Sequence, residues 1–165
     1  MPASDVDWLR GPADALVTLV EYADYECPHC QRAYGVVEEL LATEGARVRL
    51  ALRHFPLTSA HPRALPAAMA AEAAGRQGKF WEMNALLFEG KGRLAEEDLR
   101  GYARQLGLDM GRFEEDRRDA AIERRIRDGR LAGLRSGVNR TPTFFINGER
   151  YDGEVAVETL SAAVK

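Results

Sequence analysis

The sequence predicts an α/β fold: a mixed β-sheet whose chain is interrupted by a helical insertion. Three observations predict it. A strand, a helix and a second strand follow one another before residue 56, a long helical stretch fills most of residues 56–142, and an apolar strand then turns back on itself at Asn147-Gly148.

Each element follows from local composition. Gly11-Pro12 makes a turn, and Ala15-Leu16-Val17-Thr18-Leu19-Val20-Glu21-Tyr22, rich in β-branched and apolar side chains, reads as a buried strand. From Pro28, apolar or small side chains recur at Cys30, Ala33, Tyr34, Val37, Leu40 and Leu41, the spacing of one helix face. Pro28 suits the first turn of that helix and Gly45 its end. Val48-Arg49-Leu50-Ala51-Leu52-Arg53-His54-Phe55 alternates apolar and basic until Pro56 and reads as a second strand with one face buried, parallel to the first.

A parallel crossover needs only about a dozen residues, so the much longer stretch before Thr143-Phe144-Phe145-Ile146 is expected to be a helical insertion. Pro62 opens an Ala-rich helix that continues to Gly75, and a second runs through Phe80, Met83 and Leu87 to Gly90. A third begins in the acidic cluster Glu96-Glu97-Asp98, which suits the positive end of a helix dipole, and ends at Gly107; Asp109 caps a fourth. The charged run 114–135 keeps Ile122 and Ile126 four apart and reads as one solvated helix with a thin apolar stripe. Asn147-Gly148 favours a type I′ turn, so the last two strands should be antiparallel, and a short helix over 155–164 closes the chain.

Composition narrows the function classes. With 165 residues, 45% of them hydrophobic, the chain can build one substantial core. Its net charge of -3 comes from 23 basic and 26 acidic residues, and the arginines are spread out, which argues against nucleic acid as a partner. No run reaches the roughly 18 apolar residues of a membrane helix, so no membrane insertion is expected. Residues 1–8 lack the basic start and apolar middle of a secretory leader. The chain as written is therefore expected in the cytoplasm, and a trimmed mature form in the periplasm or another extracytoplasmic space.

Chemistry concentrates at Cys27-Pro28-His29-Cys30, which holds both cysteines of the chain. A disulfide across so short a loop removes little denatured-state entropy, so stapling the fold is a poor reason for the pair. Two thiols at the start of a helix can instead cycle between dithiol and disulfide. Free N–H groups and the helix dipole favour a thiolate at Cys27, and His29 adds to this if protonated or donating a hydrogen bond. Cys30, one turn into the helix, would resolve the mixed disulfide. A zinc site would need His29, His54 and His61 as further ligands, but His54 and His61 lie outside the usual spacing and no second cysteine pair exists. His54 and His61 read as loop or capping histidines, and Glu26 as a solvated neighbour.

Glu21 lies six residues before Cys27 in an otherwise apolar strand. A carboxyl raised in pKa by burial there could exchange the proton that Cys30 must gain and lose; the alternative is a carboxyl tolerated at the sheet edge. Thr141, held extended by Pro142, can offer backbone groups to an extended peptide. Only about 5–6% of X-Pro bonds in folded proteins are cis, so backbone energetics alone predict trans at Pro142.

Together, the CPHC motif after a strand, the offset to Glu21 and Thr141-Pro142-Thr143-Phe144-Phe145-Ile146-Asn147-Gly148 resemble the DsbA-like branch of the thioredoxin superfamily. The segments Glu21 to Cys27, Arg53-His54-Phe55-Pro56-Leu57 and Gln77-Gly78-Lys79-Phe80-Trp81 share the resemblance, which covers essentially the whole chain. It implies a thioredoxin-like domain in two parts, residues 1–58 and 137–165, around an inserted helical subdomain, 59–136. It also implies a cis-proline at Pro142 facing the dithiol, substrate contact at Pro28 and Thr141, and a buried acid at Glu21. Where the family often has glycine, this chain has Arg140, a cation expected to favour the Cys27 thiolate further.

The expected function is thiol–disulfide exchange with cysteine-containing polypeptides, Cys27 as nucleophile and Cys30 as resolving thiol, more as oxidant than reductant. No cofactor and no metal are expected, and an unidentified redox partner would recycle the dithiol. The alternative is a redox-inert peptide-binding or chaperone-like module using the groove near Pro142.

Overall fold

The computed structural model describes residue 4 and residues 6–165. Its strands are β1 (Trp8–Arg10), β2 (Val17–Ala23), β3 (Val48–His54), β4 (Thr143–Ile146) and β5 (Glu149–Tyr151). Helix α1 (Pro28–Glu44) connects β2 to β3. Between β3 and β4 the chain forms α2 (Ala64–Arg76), α3 (Phe80–Glu89), α4 (Glu96–Gln105), α5 (Met110–Asp116) and α6 (Ala120–Arg135), and α7 (Val157–Ala163) follows β5.

The five strands make one mixed sheet in the order β1-β3-β2-β4-β5. β2 and β3 are parallel, from Val17 opposite Val48 to Ala23 opposite His54. β4 runs antiparallel to β2, with Glu21 opposite Phe144 and Tyr22 opposite Thr143. Because side chains alternate across a strand, β2 divides its residues between two layers. Leu19 packs with Leu50, Phe144, Val37 and Leu40 on the α1 and α7 side, whereas Val20 and Tyr22 pack with Phe55 and Phe145 on the other. Helix α6 approaches that second layer through Gly133, where an added Cβ would stand 2.8 Å from the Tyr22 ring. A third cluster unites helices α2–α6 with Cys27, Cys30 and Leu52, so the two cysteines sit where helices and sheet meet. Burying each large apolar side chain in these layers contributes about 1.5–3 kcal/mol.

The hairpin forms through positive φ at both Asn147 (48°) and Gly148 (87°), as a type I′ turn demands. Strand β1 is an element the sequence pattern does not announce. It pairs antiparallel with β3, and its Trp8 stacks on Phe80 at 4.3 Å and donates its indole N–H to Glu72. The expectation of one buried face for β3 is corrected, because Ala51 on its second face packs into the Tyr22, Phe55 and Phe145 layer: only Arg49 and Arg53 of its seven residues are not fully buried. Arg53 is satisfied there by the Asp7 carboxylate (2.7 Å) and the Tyr22 hydroxyl (3.0 Å). The run 114–135 is also corrected. It is broken between Asp116 and Ala120, because Asp119 accepts the Ala121 N–H at 2.8 Å and caps a new helix. No described helix is long and apolar enough to cross a membrane.

Candidate active site

The turn between β2 and α1 is shaped by one buried side chain. Asp24 Oδ1 accepts the N–H groups of Glu26 (2.8 Å) and Cys27 (3.1 Å), an arrangement by which Asp side chains fold the backbone just ahead of a helix. Its Oδ2 accepts the Leu57 N–H at 2.9 Å and lies 2.8 Å from His61 Nδ1. These partners offset the cost of sealing a carboxylate from water. Cys27 is thereby fixed as the residue preceding α1, in extended conformation (φ -71°, ψ 120°), with Pro28 in the first turn.

Both sulfurs are sheltered, Cys27 at 4% exposure and Cys30 at 0%. Cys30 Sγ accepts the Asp24 N–H at 3.5 Å, and Cys27 Sγ lies 3.6 Å from the Thr141 carbonyl oxygen. The Thr141–Pro142 bond is cis, against the ordinary preference of an X-Pro bond. Thr141 also brings a buried hydroxyl that lies outside every hydrogen bond among the described residues.

The two thiols are driven apart. The hydrogen bond from Cys30 leads in lowering Cys27 to a pKa of about 5, against the opposing effect of burial. The Thr141 hydroxyl and the N–H groups of Cys30 and His29 at the helix start act in the same lowering direction. Cys30 is pushed far up, first by burial and then by its role as donor to Cys27 and by the charge of Glu21. One sulfur is thus held as a thiolate, the nucleophilic form, while the other keeps its proton.

Glu21 sits beneath this pair. The alternative of a carboxyl tolerated at the sheet edge does not hold, because β2 is an interior strand with Glu21 between Leu52 and Phe144. The side chain is buried and its Oε1 has no hydrogen-bond partner. Burial, and then the charge of Glu38, lift its pKa to about 8.

His29 contributes differently from the expectation. Arg32 stands 2.7 Å from His29 Nδ1, and because a guanidinium only donates, that ring nitrogen accepts. The help His29 gives the thiolate comes from its backbone N–H. Arg140 is two-thirds exposed and pairs with Asp152 at 3.5 Å, so an anion offsets its charge. His29, Arg32 and Arg140 line a groove of about 660 Å3 together with Thr141, Pro142, Val36, Phe144 and Tyr151.

Sequence reasoning missed Asp24 and His61. The signal was available for the first, since an Asp directly after a strand and three residues before a helix is a turn former; His61 is joined to it only by the fold. Glu26 is bound rather than merely solvated, its Oε2 accepting the Arg63 N–H at 2.7 Å. His54 is buried against Tyr25 and Phe80, and its Nε2 has no hydrogen-bond partner. Among the described residues, no three His, Cys, Asp or Glu side chains are grouped to hold a metal ion.

A family profile described as Thioredoxin matches residues 4–165. Among solved structures, a thioredoxin-like oxidoreductase from Silicibacter pomeroyi DSS-3 is 30% identical with a TM-score of 0.87, over 98% of this chain and 91% of that one. The thiol-disulfide exchange protein alpha-DsbA2 from Wolbachia pipientis (24% identity, TM-score 0.85) covers 97% of this chain and 87% of its own. BdbD from Bacillus subtilis (18%, 0.83) covers 96% and 90%. At those identities the last two speak to the fold alone. Curated relatives include the Na(+)/H(+) antiporter NhaA 1 of Salinispora arenicola, 50% identical over 160 residues, 97% of this chain and 24% of that protein. The present chain thus spans about a quarter of the length of the curated relatives it matches. By the profile that runs from residue 4 to residue 165, the chain belongs to the thioredoxin family, and its fold is that of the DsbA-like thiol–disulfide oxidoreductases.

Proposed function

We propose that this chain is a thiol–disulfide oxidoreductase that passes a Cys27–Cys30 disulfide to cysteine pairs in polypeptides. The observation that carries the proposal is the opposite treatment of the two thiols, Cys27 lowered to about 5 and Cys30 raised. A substrate thiolate attacks Cys27 Sγ and the electron pair of the S–S bond moves to Cys30, which takes a proton. Glu21, still protonated at neutral pH, is the group placed to supply it. A second substrate thiolate then displaces Cys27, a good leaving group because its thiolate is stabilised. Stabilising the product thiolate favours the reduced protein, hence the oxidising direction. The electron pair stays on sulfur throughout, and no cofactor enters.

The groove supports an extended polypeptide as substrate, apolar against Val36, Phe144 and Tyr151, with an acidic residue near its cysteine to meet His29, Arg32 and Arg140. The oxidising direction goes with an oxidising compartment. The relatives named as antiporters support a membrane protein of that kind as a partner.

Insulin disulfide exchange and oxidation of a dithiol peptide test the reading. Cys27→Ser should abolish both; full activity toward the partner in that variant would favour a redox-inert binding module instead. Cys30→Ser, which stalls the mixed disulfide, should trap partners in cells and so report compartment, direction and any transporter together.

A further inference from the structure

Resting on the thiol–disulfide reading, a part can be assigned to two residues which that reading does not use. Asp24 ties the catalytic turn to the loop after β3: through Oδ1 it holds the N–H of Cys27 at 3.1 Å, and through Oδ2 it meets His61 Nδ1 at 2.8 Å. The Asp24 side chain is 0% exposed and that of His61 20%, so the pair leads from the catalytic turn to solvent. With Nδ1 donating to the carboxylate, Nε2 is the ring atom left to take up a proton.

The titratable groups that face His61 from the turn are Asp24, Glu26 and Cys27. On its own loop, Arg63 engages Glu26 through its backbone N–H. Against the desolvation that burial imposes, the Asp24 hydrogen bond and the charges of Asp24, Cys27 and Glu26 hold the imidazole above its ordinary value.

We infer that the Asp24–His61 pair is a proton store coupled to the charge on Cys27: His61 takes up a proton as Cys27 becomes a thiolate and releases it as the disulfide re-forms. The balance closes. When the disulfide oxidises a substrate dithiol, the Cys27–Cys30 bond breaks, the substrate S–S bond forms and two electrons pass to the protein. One of the two thiol protons ends on Cys30; the other, which Cys27 does not keep, goes to His61. Linkage is reciprocal, so protonated His61 stabilises the thiolate by the same free energy by which the thiolate stabilises protonated His61. His61 acts through Asp24 and through its charge, and is a positioning residue rather than a catalytic one.

The test is the equilibrium of the whole chain with glutathione as a function of pH. Oxidation of a Cys27 thiolate and Cys30 thiol by glutathione disulfide draws one proton from solution, so the constant changes about tenfold per pH unit. Where His61 also changes protonation it releases the second proton itself, so the slope falls from tenfold toward no pH dependence. In His61→Gln, whose amide can still donate to Asp24, the slope is expected to stay near tenfold across roughly pH 5–8. A role confined to holding the loop would lower the melting temperature of that variant without changing the slope. As a second readout on the unmodified protein, the His61 ring should titrate at higher pH by NMR in the reduced form than in the disulfide form. Equal His61 midpoints in the two forms, or an unchanged slope in His61→Gln, overturns the inference. Absence of any exchange with glutathione sinks the functional reading and this inference with it; ordinary exchange with a one-proton slope in the native protein sinks this inference alone.

Discussion

Glu21 and Asp24 stand three residues apart, both sealed from solvent, and the fold treats them oppositely. Asp24 accepts from three backbone N–H groups and meets His61, whereas Glu21 has an oxygen with no partner and a pKa lifted by burial to about 8. The cause lies in where each sits. Inside β2 the neighbouring backbone N–H groups belong to the ladders with β3 and β4, so a carboxyl there finds no donor and keeps its proton. At Asp24 the chain leaves the sheet, and N–H groups freed by the turn converge on the side chain. Two acids of similar chemistry thereby become a structural anchor and, in the function proposed above, a proton carrier.

The largest way to break this contrast is Asp24→Ala. It strands three N–H groups and the His61 ring at once, and should cost about 3–5 kcal/mol in denaturant unfolding. Loss of less than about 1 kcal/mol would mean that the turn holds without its anchor.

Glu21→Gln should act in the other direction and with pH. A carboxyl whose native pKa of about 8 exceeds its ordinary 4.5 contributes stability below 4.5 and loses it as pH rises through about 8. Gln removes that loss, so the variant should gain on the native protein by about 1.4 kcal/mol per pH unit within that window. Melting curves at several pH values read this directly, and parallel curves would contradict it.

A smaller effect separates the redox forms. Cys27, lowered from 9.0 to about 5, gives the reduced fold stability that is fully present above pH 9 and is lost as pH falls through about 5. The reduced protein should therefore melt above the disulfide form near neutral pH, by on the order of 5 °C, with the gap closing toward pH 5. A higher melting point for the disulfide form would overturn the assignment of the thiolate.

The smallest expected effect sharpens the comparison by leaving the interior. Arg140→Gly removes an exposed cation already paired with Asp152. It should move the Cys27 titration, followed by thiolate absorbance, by less than about 0.3 unit. Exchange with acid-flanked peptides should slow about twofold at low salt.

Much of the fold and the centre of the site are legible in the sequence because their signals are local. The strand before Cys27, the helix face from Cys30 to Leu40 and the Asn147-Gly148 turn each carry a period or a turn preference within a few residues. What stays hidden depends on distant partners. Trp8–Arg10 is too short to show a period and becomes a strand because β3 offers an edge and Phe80 a stacking face. His61 looks like any loop histidine until the fold lays it on Asp24, 37 positions earlier. The break between α5 and α6 was within reach, since Asp119 before Ala120-Ala121 is a capping sequence, but the surrounding charges carry too little apolar periodicity to mark where a helix stops.

Asn147 at the hairpin tip has a consequence for how the site can be altered. Its backbone N–H donates to the Thr18 carbonyl (3.0 Å) and its side-chain oxygen accepts the Thr18 N–H (2.8 Å), so it imitates one more paired residue of the sheet. At the opposite end of β4, the Thr143 hydroxyl holds the Arg140 carbonyl at 2.7 Å. A four-residue strand pinned at both ends behaves as a ruler roughly 13 Å long, and it sets where the Thr141 carbonyl meets a sulfur 114 positions earlier in the chain. An engineer who lengthens a helix between β3 and β4 leaves that ruler alone; one who inserts a single residue into β4 moves the mark.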